Sequence, residues 1–371
     1  MKKFIVLICF FSIVGIAFAL PLTYSTSPSS PTSISSNKVL YTGQVEHLFT
    51  HCLLAYPALA LSEENPMQSD YDRDCITPNE FKALLKELYE NNYALIDINK
   101  LFEEKDGKVV KATLEVPEGK KPLVLSFDDV VYDQRKMKSG MVDKIIVDEN
   151  GKLASQTEIT WSTKPSVEIS YDNEFIPILE DFVEKHPDFS IDGAKATICL
   201  TGFDGILGYR TSLRNTKNRI QEINSVKIVV EKLLEKGWNF ACHSFGHYHM
   251  TKISDEKFKE ELENWKTQVE PIIGQTSIYV YPYGEWELTN EDGTPTTKHQ
   301  MLLDSGFKLF CGVGVAPFFS YLPYSKNSTK TLFMDRTPID GYALRTQKDS
   351  LSRLFEVEDI YDYEFRPNKE I

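Results

Sequence analysis

From Lys38 onward, short apolar runs alternate with longer stretches in which apolar residues recur every three or four positions. That order predicts strand–helix repetition with parallel strands. The first helix is predicted from Pro78: Thr77 suits the N-cap, Pro78 the first helical position, and Glu80 completes a capping box. Phe81, Leu84, Leu85 and Leu88 share its apolar face. Tyr93 to Ile98 reads as a strand, and Pro122 to Phe127 as a compact apolar strand that runs into two aspartates. Residues 130–170 carry no regular period, although Gly140 and the turn Glu149-Asn150-Gly151 predict a hairpin there. Further helices are predicted over Asn173–Lys185, Asn218–Lys236, Asp255–Val269 and Thr296–Asp304, with Gly237 and Gly306 as stops. Strands are predicted over Lys195–Leu200, Trp238–Cys242, Ser277–Tyr281 and Phe307–Cys311. Several such units in one domain imply a closed or partly closed β/α barrel.

The chain ahead of this pattern is different in kind. Lys2-Lys3, an apolar run from Phe4 to Phe18 and the small-x-small triplet ending at Ala19 have the layout of a secretory signal, expected to span residues 1–19. An uncleaved membrane anchor is the rival reading. Residues 20–37 are Ser/Thr/Pro-rich and uncharged, the composition of a linker, which leaves 38–371 as the folded domain. Secretion or display at the cell surface is the expected location. The formal charge of −13 argues against nucleic acid as the main partner, because such binding rests on neutralising phosphates. Beyond Cys9, five scattered cysteines without a C-x-x-C pair indicate neither a disulfide framework nor a thiolate zinc site; buried free thiols are expected.

Three polar motifs each follow a predicted strand, where a β/α barrel gathers its catalytic groups. Asp128-Asp129 would face opposite ways in a strand, so a site using both carboxylates needs the chain to turn between them. A turn or a helix cap accounts for the pair equally well. His243 and His247 are four positions apart, a spacing that puts both imidazoles on one side of a helical turn and suits a shared cation. With His249 they make three of the chain's 7 histidines within seven positions. Two histidines and one carboxylate form an open set that leaves room for water and substrate. Tyr281-Pro282-Tyr283-Gly284 closes an apolar strand with a rigid turn, either as punctuation or to expose a backbone N–H toward an oxyanion.

Ser126-Phe127-Asp128-Asp129, His243-Ser-x-x-His247 and Pro282-Tyr283-Gly284, in this order, resemble the first three motifs of the polysaccharide deacetylases, carbohydrate esterase family four. The resemblance covers roughly Val45 to Asp340. It implies a single catalytic domain, a distorted (β/α)7-type barrel, that removes N-acetyl groups from an N-acetylglucosamine-containing polysaccharide. It implies Asp128 as general base, Asp129, His243 and His247 as ligands of one divalent metal ion, and Tyr283 as donor of an oxyanion-binding N–H. Zinc is the first expectation, with nickel or cobalt compatible. Val130 departs from the family's usual glycine and Val280 from its arginine, and the C-terminal histidine motif is missing. The circularly permuted, exported poly-N-acetylglucosamine deacetylases carry that acid on the first strand, which implies His51 as general acid, with His47 a weaker candidate. Arg336 resembles the family's late arginine, either orienting Asp128 or forming a surface ion pair. Tyr132, Trp161 and Trp286 are candidates for stacking on sugar. The rival functions are an O-acetyl esterase on a wall polysaccharide and a non-catalytic carbohydrate-binding protein.

Overall fold

A computed structural model describes residues 37–215, 217–322, 331–369 and 371. The expected signal segment and all of the linker but Asn37 lie outside the described residues, and no described helix is long and apolar enough to cross a membrane.

Ten strands form the central sheet: β1 (Glu46–His51), β2 (Tyr93–Leu95), β3 (Lys121–Asp128), β4 (Thr197–Leu200), β5 (Asn239–Cys242), β6 (Ile278–Val280), β7 (Leu309–Cys311), β8 (Phe319–Leu322), β9 (Thr331–Met334) and β10 (Thr337–Pro338). Their order is β8-β9-β7-β6-β5-β4-β3-β1-β10, with β2 also on β3. Every pairing is parallel except the β8–β9 edge. β9 pairs with β7 at one end of this order, and β10, two residues further along the same chain, pairs with β1 at the other. The segment 331–338 therefore borders both ends and curls the sheet into a barrel, in agreement with the expected (β/α)7 type.

The period-two alternation of strands decides what faces inward. Leu123, Leu125 and Phe127 of β3 join the large apolar layer under the helices, where Phe127 stacks on Phe175 at 3.7 Å. Val124 instead joins an inner cluster with Cys199, Ala241, Val280, Cys311 and Met334, contributed by five other strands. Ser126 and Asp128 have the same parity as Val124, so the strand turns them into the barrel.

Around the sheet lie α1 (Pro78–Glu90), α2 (Phe175–Lys185), α3 (Arg219–Glu235), α4 (Asp255–Gln268) and α5 (Thr297–Asp304), each within a residue or two of its predicted span. α1 starts as its sequence dictates. Thr77 accepts from the Glu80 N–H at 3.2 Å and Glu80 accepts from the Thr77 N–H at 2.8 Å, a complete capping box. The predicted strand 93–98 is shorter than expected: Asp97 accepts from the Asn99 N–H and caps a 3-10 turn, Ile98–Lys100. In the insertion, Lys144–Val147 and Leu153–Ile159 form the expected antiparallel hairpin, extended by a third strand, Ser166–Ser170. The five cysteines after Cys9 are free and buried.

Candidate metal and catalytic site

The site sits where β1, β3, β5 and β6 end. Asp128 closes β3 with its side chain inside the barrel, and Asp129 then adopts φ 57°. A left-handed residue after a strand breaks the alternation, so the second carboxylate reaches the barrel rim rather than the helical layer. This is the turn that a site using both aspartates requires.

The histidine pair arrives by a different route from the helical turn its spacing suggested. Residues 243–249 contain no helix; Ser244 and His247 take φ 58° and 55°, and the His247 N–H donates to Ser244 Oγ at 3.0 Å. Two left-handed residues coil the loop tightly enough to bring the two rings to 5.0 Å between centroids. Such conformations are costly for residues other than glycine and gather at functional sites.

One ligand atom each from Asp129, His243 and His247 lies within 4.8 Å of the others. His243 Nδ1 donates to the Val280 carbonyl at 2.9 Å, which leaves its Nε2 lone pair free, as ligating histidines require. Burial lowers the His247 pKa to about 4, against the opposing pull of Asp129, so this imidazole is neutral at pH 7. Asp129 Oδ1 is buried without a hydrogen-bond partner, 3.6 Å from His247 Nε2. A buried acceptor left bare beside two imidazole nitrogens is the donor set a divalent cation satisfies.

Asp128 is held apart from this set. Arg336 grips it with two bonds, 2.7 Å to Oδ1 and 2.9 Å to Oδ2, and both side chains are buried. Burial alone would raise the Asp128 pKa, but the Arg336 and His243 charges overcome it and keep the carboxyl well below its usual range. The Phe49 ring lies 4.1 Å from the guanidinium carbon. Of the two roles open to Arg336, the surface ion pair is excluded. His47 corrects another expectation: it is buried beneath the site, its Nε2 hydrogen-bonded to Ser126 Oγ at 2.9 Å. Ser126 in turn lies 3.4 Å from Arg336. His47 cannot reach a substrate and belongs to the polar column under Asp128. The signal for this column was present in the sequence: Ser126 is two positions before Asp128, and His47 is four before His51, on matching strand faces.

His51 stands opposite Asp128 across the β1–β3 ladder. Its Nδ1 donates to the Asp74 carbonyl at 2.8 Å, which leaves Nε2 as the ring nitrogen without that bond. Its charge acts on both Asp128 and Asp129. Tyr283 has φ 60° and its ring lies 4.6 Å from that of His247.

A cavity of about 560 Å³ opens beside Asp129, His247 and Tyr283 and is walled by Phe203, Phe245 and Tyr248. From the insertion only residues between Val131 and Lys136 line it, so the hairpin itself is not a wall of this cavity. Tyr132 is 2% exposed and therefore core rather than a sugar platform. Trp161 packs edge-on against Tyr56 away from the cavity lining, and Trp286 rests against Phe333.

The polysaccharide deacetylase family model matches residues 192–297, the stretch that carries both site histidines and the Pro-Tyr-Gly turn. Over that stretch the chain is similar to the polysaccharide deacetylase family. No curated protein matches it. Among solved structures, the Streptococcus pyogenes deacetylase PplD, in complex with acetate, is 15% identical over 87% of this chain and 100% of its own, with a TM-score of 0.44. A family 4 carbohydrate esterase from Streptomyces lividans is 15% identical over 45% of this chain and 72% of its own, TM-score 0.23. A family pseudoenzyme from Bacillus anthracis, BA3943, is 10% identical over 47% and 53%, TM-score 0.25. Two of the departures from the family motifs, Val130 and Val280, are accommodated in this chain. Val130 is not among the residues at positive φ and is fully buried, so no glycine is needed there. Arg336 holds Asp128, so the arginine replaced by Val280 is not required for that contact.

Proposed function

We propose that the protein is an exported, metal-dependent N-deacetylase acting on an N-acetylglucosamine-containing polysaccharide. The observation that carries this reading is the joint arrangement of a bare Asp-His-His donor set and a separately clamped carboxylate at one rim. Asp129, His243 and His247 would hold a divalent ion, for which zinc suits two imidazoles and a carboxylate. When bound, such an ion supplies Lewis acidity to the attacking water and the acetyl carbonyl. Asp128 takes the proton of the water, with Arg336 fixing the direction of its lone pairs. The new C–O bond forms as the carbonyl π pair moves to oxygen, which the Tyr283 N–H meets. The C–N bond then breaks with its pair going to nitrogen, and His51 Nε2 protonates the leaving amine, so that acetate and a free amine result.

The test is acetate release from N-acetylglucosamine oligomers by the zinc-loaded protein, with acetylated xylan as the parallel substrate. Turnover of the oligomers that a chelator abolishes and added zinc restores is expected. Release from the xylan alone would assign an O-acetyl esterase, and glycan binding without release from either would assign a non-catalytic binder.

A further inference from the structure

Of the three clustered histidines, His249 is not in the cation-binding set. Its ring instead stacks on Tyr283, centroids 3.9 Å apart and planes within 10°. Its Nδ1 donates to Glu285 Oε1 at 3.1 Å. Glu285 also receives Thr251 Oγ1 at 3.0 Å and Lys252 Nζ at 2.9 Å. The loop after β5 and the turn after β6 are thus tied together on both sides of Tyr283. That turn needs holding: a left-handed residue other than glycine is strained and persists only where its surroundings over-determine it. Gly284, at φ 65°, sits so close to Val313 that a Cβ would come within 2.8 Å of it, which fixes the far side of the turn. The near side has the His249 plate, the tilted His247 ring at 4.6 Å and one long hydrogen bond, Tyr283 Oη to the His247 carbonyl at 3.4 Å.

We propose that His249 is a positioning residue: stacked on Tyr283 and anchored by Glu285, it locks the Tyr283 turn so that its backbone N–H is aimed at the oxyanion. The functional half of this rests on the deacetylase reading above. The structural half does not.

Three variants separate the contacts. His249→Ala removes both stack and anchor, His249→Phe keeps the stack, and His249→Gln keeps a donor for Glu285 without the ring. For His249→Ala, kcat is expected to fall roughly 10- to 100-fold with KM within about twofold, the pattern of an interaction made in the transition state. Cobalt(II) affinity stays within about threefold, because His249 is not a ligand. His249→Phe recovers most of kcat; His249→Gln behaves like His249→Ala. Hydrogen exchange of residues 281–286, read by mass spectrometry, accelerates in the Ala and Gln variants and not in Phe. If His249→Ala does not fold, the Phe and Gln variants decide the question between them. Full kcat in His249→Gln, a loss of cobalt binding that parallels the loss of kcat, or unchanged exchange would overturn the proposal. An inactive wild-type protein whose variants still show the exchange pattern would sink the deacetylase reading and leave the lock standing.

Discussion

At the scale of single residues, the proposed reaction depends on one carboxylate being kept ionised and oriented where bulk water is excluded. Asp128 is 2% exposed, and an unpaired carboxylate there would take up a proton rather than accept one from water. Arg336 prevents this through a planar fork that matches both oxygens, a geometry lysine cannot reproduce. Arg336→Lys should therefore lower kcat by about 10- to 100-fold with zinc content unchanged, since Asp128 is not in the cation set. Asp128→Asn should cost about 10²- to 10⁴-fold, the range of general base catalysis. Steady-state kinetics with metal analysis on the same samples checks both. Full turnover in the lysine variant would mean the fork does not orient the base. His51→Gln is expected to lose about 10²-fold or more in kcat with metal retained, and full turnover would move the acid role elsewhere.

At the scale of elements, the same capping box that made α1 legible in the sequence is also where the C-terminus docks. Glu80 is fully buried and accepts from Arg366 Nε at 2.9 Å and Nη2 at 2.7 Å, while Thr77 Oγ1 donates to Asp362 at 2.8 Å. Removing the cap and removing the cation should therefore differ in size. Thr77→Ala is expected to destabilise by about 1–2 kcal/mol, the usual cost of an N-cap. Arg366→Ala leaves buried Glu80 without its cation and should cost about 3–5 kcal/mol. Urea unfolding of the two variants gives the order, and a smaller loss for Arg366→Ala would contradict it. What could be read from sequence follows the same division. Helices and strands announced themselves through local period and caps, and the strand ends located the chemistry, because both are properties of neighbouring residues. For the histidine loop a spacing of four predicts a helical turn, because spacing does not report two left-handed residues. Arg336 could not be told from a surface group, since its burial depends on β10 and β1, far apart in the chain, meeting side by side.

At the scale of the whole molecule, four buried groups pull the pH dependence of stability in opposing directions. Burial holds His299 and His247 down to about 4 and His47 well below its ordinary value, so the folded chain keeps all three neutral. The unfolded chain protonates them near 6.5, and stability is therefore lost as pH falls from about 6.5 toward 4. Glu174 runs the other way. It caps α2, accepting from the Phe175 N–H at 2.8 Å and the Leu53 N–H at 3.2 Å, and burial pushes its carboxyl up to about 8. The folded chain keeps a proton that the unfolded chain has released above about 4.5, so stability is lost as pH rises from there through 8. Among these four groups, three histidines oppose one carboxyl between about 4.5 and 6.5, and Glu174 alone of the four still acts above that range. The metal-free protein should be most stable near pH 6.5–7 by these groups. Glu174→Gln keeps an oxygen for both N–H donors and removes the titration, so its unfolding free energy should stay level between pH 7 and 8, where the wild type declines by roughly 1 kcal/mol per pH unit. His299→Gln should flatten the acid side by a similar slope. Urea titrations of the metal-free proteins from pH 5 to 9 measure both. A Glu174→Gln protein that declines as steeply as the wild type above pH 7 would show that the alkaline loss arises elsewhere in the chain.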